Sequence, residues 1–375
     1  MARRTRREDG RGGRRGARLG GWIAATLLLL LASATADAID ELHFFRIGTA
    51  ATTGTYFQIG GVLANAISKP PGSRDCAHGG GCGVQDLVAV AQASQGSIQN
   101  AIAVGTGQIE SALVQSDVAY WAYAGAAVTP AKRCAPGKGE APKNSGLALL
   151  KSQGPIRNLR AISALYPENV HIVVRAESAI HSLQDLKGKR VALGEAESGT
   201  LADARLVLDA AGLAECDVKA EYFALSEAAG ALVDDRIDAF FMVGGYPVPA
   251  ITDIATTVST RLIPIPHDVA ERVTEKYPFF TIDAIPAGAY PGLDSDTATL
   301  STTALWVTRS EIDDDLVYAI TKSLWSDATK RLLGSTHPAG RRIRLEMALD
   351  GLVIPLHPGA ARFYREAGVK IPDGL

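Results

Sequence analysis

The chain has 375 residues, of which 47% are hydrophobic and 21% are charged. This composition excludes a disordered chain, a collagen-like fibre and a disulfide-dense miniprotein, and the length allows one large domain or two ordinary ones. The formal net charge is −2, but residues 1–36 carry eight arginines against only Glu8 and Asp9, so the rest of the chain is acidic. An acidic body argues against a nucleic-acid-binding surface.

The first 38 residues have the pattern of a secretory signal peptide. An arginine-rich stretch over 1–18 precedes an apolar run from Trp22 to Leu31, and small residues follow over 32–38. The apolar run is shorter than the roughly twenty residues that a transmembrane helix needs. We therefore expect residues 1–38 to be removed and the mature protein to be exported to the periplasm. A retained N-terminal anchor is the alternative.

Export makes disulfide bonds possible for the four cysteines. Cys76 and Cys82 flank a glycine-rich span that closes easily, and a bond there would contribute about 2 kcal/mol through loop-closure entropy. Metal binding through Cys76, His78 and Cys82 is the alternative, but that set lacks a fourth ligand nearby. Cys134 and Cys216 are far apart in sequence, so we expect separate thiols, although the four cysteines allow other connectivities.

Strands and helices alternate along the rest of the chain. Short β-prone runs predict strands over 44–48, 87–93, 111–115, 189–194 and 237–243. Helices follow the polar loops after these strands, because apolar residues recur there at helical spacing, as in Leu201, Ala204, Leu208 and Ala211. Asp117 is expected to cap the helix after the third strand. This alternation predicts an α/β fold with largely parallel sheets.

The loops after the predicted strands are rich in Gly, Ser and Thr. Ligands of parallel sheets bind outside the carboxyl ends of the strands, where helix N-termini offer N–H donors and a partial positive charge. These loops contain no Arg, Lys, His or Cys, and the sequence has no nucleophile elbow, phosphate-binding loop or zinc-protease motif. The pattern favours binding over catalysis, with no catalytic residue, metal or cofactor. A secreted enzyme that acts on a small carboxylate is the alternative.

Short motifs in a fixed order carry a family resemblance over about residues 44–368. They are Arg46-Ile47-Gly48-Thr49, Gly54-Thr55-Tyr56-Phe57, Gly60-Gly61, Gly96-Ser97, Asn100, 114–120, 165–168, 185–191, 198–200, 238–241, 285–292 and 354–360. Each motif is weak alone, and together they are specific. With them the chain resembles the TAXI family, the solute-binding receptors of TRAP (tripartite ATP-independent periplasmic) transporters.

The resemblance implies a periplasmic-binding-protein fold of the second type. Two α/β lobes would be joined by crossing hinge strands and would close on a solute held in the cleft between them. Lobe I would comprise 39–174 and 302–375, and lobe II 175–301. The resemblance further implies a monomeric receptor for a small carboxylate-bearing solute, such as glutamate, glutamine or a related oxo- or dicarboxylate. That receptor would deliver the solute to the TRAP membrane subunits.

The candidate solute contacts lie in the loops of both expected lobes. On lobe I they are Thr49, Gly54, Thr55, Tyr56, Ser97, Asn100, Gln115, Asp117 and Tyr166. On lobe II they are Ser198, Gly199, Thr200, Gly244 and Tyr246. Ser97 and Asn100 could equally be helix-capping residues, and Asp117 is more a cap than a solute contact.

Carboxylate capture is assigned to the helix start at Ser198-Gly199-Thr200, through its backbone N–H and hydroxyl groups. Arg175 and Arg205 are the nearest cations in sequence, and we expect solvated or lobe-bridging roles for them. Glu195 and Glu197 stand where the family commonly has Pro and Gly, and like charges there disfavour a simple dianion.

Overall fold

The computed structural model describes residues 42–76, 82–126, 134 and 146–375. The expected signal peptide and His78 lie outside this range. Eleven α-helices are formed within it: α1 (Thr55–Ile67), α2 (Ser97–Gly105), α3 (Ser116–Ala124), α4 (Leu147–Gln153), α5 (Gly199–Ala210), α6 (Leu225–Val233), α7 (Pro249–Ala255), α8 (His267–Lys276), α9 (Asp314–Leu324), α10 (Asp327–Thr336) and α11 (Pro358–Glu366). No helix in these ranges is both long and apolar enough to cross a membrane.

The described ranges also contain twelve strands, and every predicted strand is found with small shifts at its ends. They are β1 (His43–Gly48), β2 (Ser68–Lys69), β3 (Val84–Gln85), β4 (Leu87–Gln92), β5 (Ser111–Gln115), β6 (Leu159–Arg175), β7 (Arg190–Ala192), β8 (Lys219–Glu221), β9 (Ala239–Gly244), β10 (Thr260–Leu262), β11 (Thr281–Ile285) and β12 (Thr297–Arg309).

Ten of these strands form one mixed sheet in the order β4-β1-β5-β12-β6-β9-β7-β8, with β10 attached to β6 and β11 to β12. The α/β prediction is confirmed. The expectation of largely parallel sheets holds at the two ends of the order, where β1 pairs with β4 and β7 with β8. It is wrong in the middle, because β12 and β6 are antiparallel to each other and to their outer neighbours.

The middle of the sheet consists of two long strands, β6 with 17 residues and β12 with 13. They pair from Arg309 opposite Leu159 to Ser301 opposite Asn169, with register shifts after Ala304 and Trp306. Both strands are almost wholly buried. Because each contacts elements from both ends of the sheet, the two ends are connected through this pair.

The predicted apolar faces of the helices are the faces that pack on the sheet. On α1, Ile59, Leu63 and Ile67 are fully buried, and on α5, Leu201 and Leu208 are. Burying a side chain of this size contributes about 1.5–3 kcal/mol. This packing fixes the helix axes, so their N-terminal ends meet the carboxyl ends of the preceding strands.

Both cysteine pairs are disulfide-bonded. The bond between Cys76 and Cys82 is the one that the sequence predicts, with Cα atoms 4.8 Å apart. The expectation of separate thiols for Cys134 and Cys216 is wrong, because they are bonded with Cα atoms 5.7 Å apart. Separation along the chain is a poor guide here: Gly146, which begins the next described stretch after Cys134, lies against Arg205 of α5, so the fold brings this region close to Cys216.

The two disulfides should contribute unequally to stability. In the loop-closure account, the bond spanning 82 residues contributes about 4–5 kcal/mol and the bond spanning 6 residues about 2 kcal/mol. Replacing Cys134 and Cys216 with Ser should therefore lower the free energy of unfolding by more than the same change at Cys76 and Cys82. Urea unfolding of the two double variants measures this. Equal losses would contradict the entropic account.

Candidate functional site

A cleft of about 660 Å³ opens where the loops after the sheet strands converge. One side, here called the first wall, is formed by residues 50–56, 95–97 and 115, which follow β1, β4 and β5. The other side, the second wall, is formed by residues 194–200, 223–228 and 241–244, around β7 and β9. Glu168 of β6 also lines the cleft.

On the first wall, α1 begins in the cleft. Gly54 is its N-cap in an extended conformation, and Thr55 and Tyr56 form its first turn. The Thr55 hydroxyl donates to the carbonyl of Gly245 across the cleft at 2.7 Å. The first-turn N–H groups of a helix have no partner within the helix, so they face the cleft as donors.

The start of α2 has a different role from the one the sequence suggests. Gly96 is the N-cap, with a φ of 117° that favours glycine, and Ser97 is the first helical residue. The N–H groups of Ile98 and Gln99 both donate to the carbonyl of Glu197 on the second wall at 3.2 Å. These donors therefore join the two walls and are not left for a solute.

The start of α5 leaves its donors open. Ser198 is the N-cap, and its hydroxyl accepts from the N–H of Leu201 at 3.1 Å. The N–H groups of Gly199 and Thr200 donate to no described residue. The Thr200 hydroxyl accepts from the N–H of Val243 at 3.2 Å, which ties the helix start to β9. Free N–H groups at a helix start are donors of the kind that suits an anion.

Gln115 connects the two walls. Its side-chain amide donates to the carboxyl of Asp203 on α5 at 2.6 Å, and its backbone N–H donates to the Ser97 hydroxyl at 3.1 Å. A side chain on Gly199 would collide with the Gln115 amide group. The close approach of the two walls therefore requires glycine at position 199, whether or not a solute also approaches the backbone there.

The polar groups beside the cleft include a buried acid. The Tyr56 hydroxyl donates to Glu168 at 2.7 Å, and both side chains are almost fully buried. Burial raises the pKa of Glu168 well above its ordinary range, although the hydrogen bond from Tyr56 opposes this shift. Burial also raises the pKa of Glu195, which lines the cleft.

Nine of the fourteen predicted contacts line this cleft: Gly54, Thr55, Tyr56, Ser97, Gln115, Ser198, Gly199, Thr200 and Gly244. The other five lie behind it. The amide of Asn100 donates to the carbonyls of Thr49 and Leu113, so it holds two strands together. The Thr49 hydroxyl donates to the carbonyl of Gln92 in the same manner.

Asp117, Tyr166 and Tyr246 also lie outside the cleft lining. The expectation that Asp117 caps its helix is wrong, because Gln115 is the N-cap and the Asp117 carboxyl instead accepts from Thr302 at 3.1 Å. Tyr166 is buried against Gly245 and Ala339. The Arg342 guanidinium lies 5.1 Å from the centre of the Tyr246 ring.

Sequence reasoning identified Glu195 but missed Glu168 and the apolar patch of the cleft. Glu168 follows Tyr166-Pro167 in a motif that was noted, but a buried acid in mid-strand has no pattern of its own. Apolar side chains from one loop, the start of α6 and β9 complete the second wall: Phe223, Leu225, Phe241 and Met242. The signal that could have indicated Phe241 and Met242 is their position at the end of the predicted strand 237–243; Phe223 and Leu225 follow β8, which the sequence did not predict.

The cleft lining combines apolar side chains, neutral polar groups and two acids, and it has no basic side chain among the described residues. Arg205 is paired with Glu215 at 2.8 Å, and Arg175 with Glu177 at 3.1 Å. Neither bridges the two walls. No group of three or more His, Cys, Asp or Glu side chains in the described ranges is placed to hold a metal ion. Charge on an anionic solute would have to be met by helix ends.

A sequence model of the NMT1-like family matches residues 47–134 and 141–368, which is most of the chain. The chain belongs to the NMT1-like family. The match includes both walls of the cleft and both long strands.

Solved structures resemble this NMT1-like chain at low identity. The periplasmic aliphatic sulphonate binding protein SsuA from Escherichia coli is 14% identical, covering 79% of this chain and 80% of that chain, with a TM-score of 0.40. XAC2383 from Xanthomonas citri, bound to ATP, is 13% identical over 86% and 94%, with a TM-score of 0.42. An ancestral arginine-binding protein bound to arginine is 18% identical over 78% and 97%, with a TM-score of 0.39.

Gly199→Ala tests the contact between the walls. The new methyl group would displace the Gln115 amide and break its hydrogen bond to Asp203. A hydrogen bond to a charged or acid group contributes about 1.5–3 kcal/mol, and we expect the free energy of unfolding to fall by that amount. Gly61→Ala, in the middle of α1 with open space around it, is the matched control and should be neutral or stabilising. Equal stabilities in urea unfolding would contradict the assigned contact.

Proposed function

We propose that this protein is a periplasmic solute-binding receptor that captures a small carboxylate-bearing solute and delivers it to the membrane subunits of a TRAP transporter. The observation that carries the proposal is the open start of α5, where the N–H groups of Gly199 and Thr200 face a cleft without a described partner. A carboxylate accepts hydrogen bonds from such donors, and the helix dipole favours its charge. The ordered motifs of the TAXI resemblance support the assignment to this class of receptor.

Capture would proceed by closure of two lobes, 39–174 with 302–375 and 175–301. The first wall belongs to the first lobe and the second wall to the second. Contacts such as Thr55 to Gly245 and Ile98 to Glu197 would form on closing. β6 and β12 connect the lobes, and their ends would absorb the hinge rotation.

The acids of the cleft narrow the solute class. Glu195, when ionised, would repel a simple dianion, since the described lining holds no basic side chain to offset it. A solute that carries an amino or amide group besides its carboxylate, as glutamate and glutamine do, can donate to these acids. The apolar side chains Phe223, Phe241 and Met242 would contact its carbon chain.

The test is ligand identification with the mature chain purified from the periplasm. Native mass spectrometry should find a bound carboxylate-bearing metabolite. A thermal-shift screen of amino acids and oxo- and dicarboxylates should find a compound that raises the melting temperature, because a solute that binds only the folded state stabilises it by mass action. If only phosphates, metals or sugars stabilise the protein, the carboxylate assignment is wrong. Turnover of a compound in the panel would favour the secreted enzyme instead.

Arg205→Ala separates capture by helix ends from capture by a salt bridge. Arg205 and Glu215 are mostly buried, so the truncation leaves the Glu215 carboxylate with the Tyr222 hydroxyl but without its cation, and we expect a loss of about 1–3 kcal/mol in unfolding free energy. Affinity for the identified solute should stay within about twofold, because the guanidinium is held away from the cleft. Calorimetric titration measures it. Loss of binding in Arg205→Ala would overturn the helix-end account.

A further inference from the structure

Two buried aspartates meet between the walls behind the cleft. Asp117 lies in the first turn of α3, on the side of the first wall, and Asp203 lies on α5, on the side of the second wall. Their side chains are 0% and 1% exposed. Neither lines the cleft, so neither is needed for contact with the solute.

The hydrogen bonds that Asp117 and Asp203 accept leave one oxygen of each carboxyl group without a donor. One oxygen of Asp117 accepts from Thr302 at 3.1 Å, and one oxygen of Asp203 accepts from the Gln115 amide at 2.6 Å. The remaining oxygens, Oδ2 of Asp117 and Oδ1 of Asp203, are buried without a donor. The two carboxyl groups are close enough to affect each other's protonation. Ionised carboxylates have no donor, so a single proton between them satisfies both remaining oxygens.

Among the residues that the structure describes, no cation is recorded as acting on the pair. From β6, Glu168 adds a further acid whose charge raises the pKa of Asp203, and the charge of Asp117 in turn raises the pKa of Glu168. From α1, Tyr56 donates its hydroxyl to Glu168. Thr302 of β12 and Gln115 of β5 are neutral. The nearby cation on α5, Arg205, is held by Glu215, and Arg272 of α8 is held by Asp268.

We propose that Asp117 and Asp203 form a proton-sharing latch, so that closure of the cleft takes up one proton. This inference rests on the hinge closure of the proposed function. When the walls separate, each aspartate is hydrated and ionises at about pH 4. When they meet, the two charges cannot both remain buried side by side, and one carboxyl group keeps its proton.

The direction of the pH dependence follows from linkage. Burial raises the pKa of Asp117 to about 6 and that of Asp203 well above its ordinary range. A group whose pKa is higher in the closed state stabilises that state at low pH, and this stabilisation is lost as pH rises. Because closure takes up one proton, the ratio of closed to open molecules should fall by up to tenfold for each unit that the pH rises above 5.

The experiment needs no solute. Small-angle X-ray scattering of the ligand-free mature chain between pH 5 and 8 measures the fraction of compact molecules. In the same samples, ¹³C NMR of labelled aspartate carboxyl groups measures protonation, with signals assigned through the variants. Asp203→Asn places an amide donor where the shared proton would be, so it should stay compact across the range. Asp117→Asn, which also supplies a donor, should do the same. Asp253→Asn, an exposed aspartate on α7, is the control for lost charge and should follow the wild type.

The outcomes are distinct. Compaction that increases as pH falls in the wild type, and that loses its pH dependence in Asp203→Asn and Asp117→Asn, supports the latch. A compact wild type at every pH with one aspartate of the pair protonated at pH 7 also supports it. A pH-independent distribution with both aspartates ionised at pH 7 overturns it. None of these results depends on which solute binds. Failure of the solute screen can therefore be distinguished from failure of the latch proposal.

Discussion

The antiparallel pairing of β6 with β12 is the constraint on which the rest of the structure depends. Every other strand of the large sheet is attached, directly or through neighbours, to one of these two strands. The same pair holds polar groups at its centre: Glu168 lies opposite Thr302, which contacts Ser116 and Asp117. The strands that connect the two walls therefore also carry the buried acid nearest the cleft.

The contacts between the walls are made mostly by neutral dipoles. The N–H groups at the start of α2 donate to the Glu197 carbonyl, and the Thr55 hydroxyl donates to the Gly245 carbonyl. Each such bond exchanges water for protein and contributes only about 0.5–1.5 kcal/mol. Contacts of this size suit a cleft that opens and closes. They also explain why α1 and α5 keep donors for a solute while α2 does not.

The sequence predicts the local structure well and the long-range structure less well. Apolar periodicity identifies α1 and α5, and β-prone runs identify the strands at both ends of the sheet, because these patterns depend on neighbours within a few residues. The continuous strand β6 is not visible from local signals, since Pro167 and Asn169 interrupt it with residues typical of turns. Pairing with β12 outweighs their preference. The bond between Cys134 and Cys216 is missed for the same reason, because only the fold brings them together.

In the candidate site, too, the residues that depend on local patterns can be predicted, and those that depend on long-range contacts cannot. Glycines and hydroxyl residues at strand ends are predictable, because a loop after a parallel strand faces the cleft whatever its partner is. The roles of Asn100 and Asp117 cannot be predicted in this way. Asn100 depends on Leu113 and Asp117 on Thr302, and the local pattern does not connect them to the strands of these partners. Asp203 lies on a helix face that carries no special signal. Its importance comes only from Gln115 and Asp117 on the opposite side.

In the proposed function, capture of a carboxylate solute and protonation of the buried acids are coupled. A negative charge bound at the start of α5 would raise the pKa of each nearby acid, because a like charge disfavours ionisation. The acids therefore hold their protons more tightly when the solute is present. By reciprocity of linkage, the solute binds more tightly when the acids are protonated. A basic side chain in the cleft would remove this coupling, since it would neutralise the solute without a proton. A lining without Lys, Arg or His among its described residues, backed by Glu168, Asp117 and Asp203, leaves the proton as the available counter-charge.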